Sequence, residues 1–205
     1  MAFFVSNLCL RISRKHFIQA SILSFCAVCL FGACSPKGDI RLLYNPVAPA
    51  VLPSPTAPRL VVVQFTDQRA NPAEIGRKRD NTPFVAAGSV SDWVSRSLGD
   101  EISRLGLQVS YAISMPLAQS ARPDYLVTGT IDEVWLKETS PATYAATVRI
   151  SVNLSSLSGN VNHQALSASQ EKTGLPTVDL AEGVLSSTLR EVLGLAASKI
   201  TALAK

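Results

Sequence analysis

Tyr144-Ala-Ala-Thr-Val-Arg-Ile-Ser-Val-Asn-Leu-Ser155 alternates apolar and polar side chains without a break. Tyr144, Ala146, Val148, Ile150, Val152 and Leu154 fall on one side of an extended chain. Ala145, Thr147, Arg149, Ser151, Asn153 and Ser155 fall on the other. A period of two with one apolar side predicts a strand that packs one face on a core and wets the other, the habit of antiparallel sheets. The neighbouring segments extend this strand into a meander. Before it, Asp124 to Leu136 is long enough for a strand that bends, with Gly129 a candidate bulge. After it, Ser158-Gly159-Asn160 supplies a turn into a third strand from about His163 to Lys172.

Further out lie helices. From Val178 or Leu180 to about Ala204, the residues Leu185, Leu189, Val192 or Leu193, Ala196, Ile200 and Leu203 recur at helical spacing, with Asp179 and Glu182 as an N-terminal box. Upstream, Leu60-Val-Val-Val-Gln-Phe65 is a β-branched run, expected as a strand buried on both faces. The polar stretch Ala70–Gly88 reads as a long loop. Ser89, with Asp92 three residues on, opens a helix whose Val94, Leu98, Ile102 and Leu105 form one stripe, and Gly106 fits its stop. Leu107 to Tyr111 returns as a strand. The order β-α-β-β-β-β-α predicts an α+β domain: a mostly antiparallel sheet of about five strands with two helices packed on one face.

The N-terminal third has a different character. Phe17 to Ala33 is an apolar run preceded by Arg11, Arg14 and Lys15 and followed by Cys34. That is the layout of a secretory signal, and Phe31-Gly-Ala-Cys34 resembles the lipobox of bacterial lipoproteins. The resemblance implies that residues 1–33 are removed and that Cys34 is alkylated with diacylglycerol and acylated, so that the first partner is a lipid bilayer. Three of the nineteen Lys and Arg precede Cys34 and none of the fifteen acids does, so the processed chain holds sixteen basic residues against fifteen acidic. The basic balance of the whole chain therefore does not point to nucleic acid. Cys9, Cys26 and Cys29 leave with the signal, so the domain has no disulfide, and no cysteine for a metal or nucleophile. Residues 34–58 carry six prolines and read as a tether that could reach up to ~70 Å in a polyproline-like form. An alternative is that Ile40-Arg-Leu-Leu-Tyr44 packs on the domain as an edge strand. Residues 59–205 suffice for a single core.

Signatures of catalysis are missing. The chain has no Gly-x-Ser-x-Gly elbow, P-loop or His-Glu-x-x-His, and no cysteine pair with zinc spacing. His163, the one histidine after Cys34, follows a turn and reads as a solvated residue. Asp132 and Glu133 are adjacent in a strand, so alternation sends them to opposite faces. No enzyme and no cofactor is expected. Asp67 and Arg69 share a face and suit an ion pair or a partner contact. Arg77 and Arg79, in a basic run with Lys78, suit a solvated loop or an anion contact, and Trp93 and Trp135 each suit a core rim or a contact residue.

The strand ending in Asp67-Gln-Arg69, the later Arg79-Asp-Asn81, the helix Asp92 to Arg104 running into Gly106, the long hairpin and the C-terminal helix follow in the same order as in the YajG-type family of outer-membrane lipoproteins, which the chain resembles. The topology also looks like auxiliary lipoprotein subunits of envelope ABC and lipid-trafficking transporters. The resemblance implies a non-catalytic lipoprotein of the outer membrane facing the periplasm, and the absence of disulfides, metal ligands and a catalytic set points to binding of an envelope protein. The transporter alternative implies an apolar groove between sheet and helix, wide enough for acyl chains.

Overall fold

The computed structural model describes residues 39–46, 50–156 and 159–204. The signal, Cys34 and the start of the tether lie outside them. Among the described residues nine strands and three helices follow one another: β1 (Asp39–Ile40), β2 (Arg59–Val63), β3 (Thr66–Asp67), β4 (Glu74–Arg77), β5 (Pro83–Ala86), α1 (Val90–Arg104), β6 (Gln108–Ala112), α2 (Met115–Ser120), β7 (Tyr125–Ser140), β8 (Thr143–Ser156), β9 (Val161–Thr173) and α3 (Val178–Leu203).

The meander forms as its sequence demands. β8 pairs antiparallel with β7 and β9 along nearly its whole length. Its apolar set, Tyr144 to Leu154, is buried at every second position. The opposite edge of β7 is divided among three short strands, all parallel to it: β2 at Tyr125–Val127, β3 at Thr130–Ile131 and β4 at Leu136–Lys137. β6 extends the sheet beyond β2, while β5 and β1 extend it beyond β4.

The α+β class holds, but the sheet is mixed and larger than the expected five antiparallel strands. Two physical causes account for this. The chain from β2 to β6 crosses over through α1, and a crossover returns a strand in parallel. The supposed loop 70–88 contains β4 and β5, a hairpin whose four-residue strands bury only Ile75, Gly76 and Phe84. Such short, half-polar strands have no readable period.

Helices α1 and α3 pack on one face. Leu60 and Val62 of β2 meet them there, together with Leu98, Ile102, Leu185, Leu189 and Leu193. Val61 and Val63 face the other way, onto Ala112 of β6 and Ala118 of α2. So β2 is buried on both sides, and a third helix covers part of the face expected to be bare. Ser89 caps α1 by accepting from the Asp92 amide, and Gly106 follows it at φ 88°. The cap of α3 is Thr177, which accepts from the Leu180 amide; Asp179 and Glu182 are engaged elsewhere.

Gly129 is not the bulge. It pairs in register with Val152, and the register shifts instead between Ile131 and Glu133. What Gly129 provides is space, since a Cβ there would lie 2.6 Å from the Phe65 ring and 2.4 Å from the Ser151 carbonyl oxygen.

Candidate functional site

β3 leaves β7 after Ile131 and β4 rejoins it at Leu136. Among the described residues no strand accompanies this edge from Asp132 to Trp135. An open cleft of about 410 Å³ occupies the gap, lined by Arg69, Asn71, Glu74, Arg77, Asp132, Glu133 and Trp135 among others.

Its wall is built by the detour of the chain. The Arg69 side chain is 6% exposed and Asp67 15%. Arg69 Nε donates to Asp67 Oδ1 at 2.9 Å and Nη2 to Oδ2 at 2.7 Å, while Nη1 and Nη2 donate to the carbonyls of Glu74 and Pro72. A bidentate pair that also ties two loop carbonyls fixes the shape of the turn. Arg69 is therefore a structural pin. Arg77, half exposed, donates to Glu74 at 2.7 Å on the rim.

The floor departs from simple alternation. With the bulge at Asp132, that side chain accepts from Thr130 Oγ1 and Ser151 Oγ, both at 2.8 Å. Glu133 pairs with Arg149 at 3.3 Å. Ser151 and Arg149 both point away from the helices, so the two neighbouring carboxylates share one face, where alternation had separated them. Each is compensated locally. Trp135 stands beside them, 36% exposed, on the side of the sheet that no helix covers here.

The other residues expected at contacts lie elsewhere. Arg79 is exposed on the β4–β5 turn, where its amide donates to Glu138 Oε2 at 3.2 Å. Trp93 is 8% exposed, and its Nε1 donates to the Leu43 carbonyl. Cys34 lies outside the described residues. His163 is exposed on β9, with Nδ1 2.7 Å from Asn153 Oδ1. Of the two tryptophans that suit either a core rim or a contact, Trp135 is the one left accessible, and nothing in a strand of mixed polarity marks in advance which face stays bare. Among the described residues no three metal-ligating side chains converge, and no helix is long and apolar enough to cross a membrane.

Two further features bear on function. The groove expected between sheet and helix is filled: the opening among Val152, Leu154, Leu166, Ala196 and Ile200 measures about 10 Å³, at most space for one water. The segment before the domain, by contrast, is built into it. β1 pairs with β5, and Ile40 is 1% exposed. Arg41 binds Glu182 and Asp179 of α3, and Tyr44 Oη donates to Glu101 of α1. Residues 40–44 are part of the fold, and the long free tether shrinks accordingly.

No protein-family model matches the chain, and no curated protein matches it. Among solved structures, protein XCC0632 from Xanthomonas campestris, of the DUF330 family, superposes with a TM-score of 0.56 at 14% identity, covering 80% of this chain and 96% of its own. The PelC dodecamer from Paraburkholderia phytofirmans gives 0.44 at 17% identity over 72% and 91%. A minor lipoprotein from Acinetobacter baumannii gives 0.41 at 12% over 71% and 93%. The first of these shares the fold with this chain. At such identities the likeness does not extend to activity.

Proposed function

We propose that this chain is a lipid-anchored protein of the bacterial cell envelope that acts by contact and not by catalysis, through the cleft between β4 and β7. The observation that carries the reading is the lipobox Phe31-Gly-Ala-Cys34, followed after four residues by a strand built into a folded domain. A lipid on Cys34 holds that domain at a membrane and raises its local concentration there. The cleft supports binding, because its ionised groups are paired within the protein while Trp135 and Arg77 stay accessible. Tryptophan and arginine are among the residue types enriched where partners dock.

The finer assignment is an outer-membrane lipoprotein of the YajG type facing the periplasm, resting on the collinear residues Asp67-Gln-Arg69, Arg79-Asp-Asn81 and Gly106. Ser35, where an Asp would favour the inner membrane, supports the outer one. A subunit of an envelope lipid transporter would be anchored in the same way. With the sheet–helix interface filled, it would act through its surface and not through an internal acyl site. A photo-crosslinker placed at Trp135 in the native envelope, followed by mass spectrometry, tests the contact reading. A discrete protein partner is expected, and crosslinks to none would contradict it.

A further inference from the structure

One end of the domain collects several turns. β4 runs parallel to β7, so the β4–β5 turn, residues 78–82, reaches the β7–β8 turn, and the Arg79 amide donates to Glu138. The Gly174 amide donates to the Ala142 carbonyl at 2.9 Å, which brings the β9–α3 loop to the same end. Arg41 Nη2 donates to Asp179 Oδ1 at 3.0 Å and places the first turn of α3 there. Phe84 and Tyr144 hold these pieces together from beneath, with ring centroids 6.3 Å apart.

The chain arrives at this end. β1 runs parallel to β5, with Asp39 opposite Val85, so its N-terminal end lies toward the β4–β5 turn. Four residues separate Cys34 from Asp39, and the five steps between them, at about 3.3–3.6 Å each, span at most ~18 Å. A lipid on Cys34 therefore limits how far the domain can stand off to that short span.

The same end exposes apolar side chains that the fold does not use. Residues 171–179 are exposed without interruption. Leu175 is 80% exposed at the loop tip, Val178 43%, and Val85, beside Asp39, 37%. Lys172 and Arg79 flank them beside the acids Glu171 and Asp179, so it is the apolar tip and not a net positive charge that suits insertion between headgroups.

We infer that this end, with Leu175 at its tip, is the face that rests on the lipid surface, so that the acyl chains and the 174–178 loop form a two-point mount. This rests on the anchor reading above. The mount sets the long axis of the β7–β8–β9 meander away from the bilayer, and it holds the Val161 end of β9 out in the aqueous space.

The test uses the full chain, processed in its native host and reconstituted in vesicles of phosphatidylethanolamine and phosphatidylglycerol. Acylation consumes Cys34, so Leu175→Cys gives one labelling site at the mount. Val161→Cys gives another at the far end of β9, about 40 Å away along a thirteen-residue strand. Each carries an environment-sensitive dye, and brominated lipids serve as the quencher. A dye in the headgroup boundary, which is about 5–10 Å deep, is expected to be quenched at least ~2-fold more at 175 than at 161. Mass spectrometry of the Cys34 peptide and vesicle flotation are read in parallel. Acylated, floating protein with equal quenching at the two sites would overturn the mount and leave the anchor standing. Protection of the 175 dye from aqueous iodide without lipid quenching would assign the end to a second copy or another protein, and would also overturn it. An unacylated Cys34 without flotation would overturn the anchor reading, and the mount with it.

Discussion

Arg41 and Glu182 lie 141 residues apart in sequence and form an ion pair that ties the N-terminal segment to α3. Arg41 Nε and Nη2 reach both carboxylate oxygens of Glu182 at 2.7–3.0 Å, and the Arg41 backbone amide donates to Oε1 at 2.9 Å. The Glu182 side chain is 3% exposed and that of Arg41 60%. A carboxylate this buried depends on its partners, because an unpaired charge away from water is costly. The helix thus supplies a socket that the N-terminal segment fills, and the pairing raises the guanidinium pKa above its ordinary value, by the hydrogen bond to Glu182 first.

The segment should therefore behave as core. Ile40→Ala removes a side chain that is 1% exposed and is expected to cost about 2–4 kcal/mol in urea unfolding. Arg41→Ala should lower the midpoint as well, by stranding Glu182. Unchanged midpoints in both variants would mean that residues 39–44 only lie on the surface.

Phe65 and Gly129 make a second sharp expectation. Gly129→Ala places its methyl carbon 2.6 Å from the Phe65 ring and 2.4 Å from the Ser151 carbonyl oxygen. Both neighbours sit in the closed sheet, so the loss should be about 1–3 kcal/mol or more. Thermal unfolding measures it, and the double variant Gly129→Ala with Phe65→Leu should recover part of it.

Alkaline pH should weaken the fold through tyrosine. Burial, and then the hydrogen bond to Asp92, push the Tyr111 phenol up to about 12. Burial and Glu101 raise Tyr44 in the same direction. An acid whose folded pKa is raised stabilises the fold while protonated. That contribution is complete below the unfolded value of about 10 and disappears as pH climbs from about 10 toward 12. Thermal midpoints across that window should fall less steeply in Tyr111→Phe, which loses about 1 kcal/mol at neutral pH with its hydrogen bond. Parallel slopes would contradict the assignment.

At the cleft, Trp135→Ala and Arg77→Ala change exposed side chains and should shift stability by no more than about 0.5–1 kcal/mol. Their capture of the crosslinked envelope partner, measured by pull-down against it, should fall by about tenfold or more. Arg69→Ala should do the reverse and cost stability first, because it releases the 70–74 turn.

How far the sequence could be read follows from the range of each determinant. β8, both long helices and the doubly buried β2 announce themselves through local periods. Ser89 and Gly106 end α1 where local rules place its ends. β4, β5 and α2 stay hidden, because four- to six-residue elements with one or two buried positions have no period. The Asp132 bulge is hidden for another reason: in the sequence Gly129 is the residue that suggests a bend, yet it answers to the Phe65 ring, which reaches it from the link between β2 and β3. The Arg41–Glu182 socket is beyond local reading altogether, and with it the shortness of the tether. Of the expected contact residues, Arg69 and Arg77 converge on the cleft because the loop between β3 and β4 returns to β7. Trp93 turns inward because Leu43 covers it.

The account turns on Cys34. Metabolic labelling with a palmitate analogue in the native host, comparing the wild-type chain with Cys34→Ser, tests it most directly. The account predicts a labelled, shortened wild-type protein that fractionates with the outer membrane, and an unlabelled variant that keeps residues 1–33. Label on the Cys34→Ser protein, or processing without label in the wild type, would contradict it.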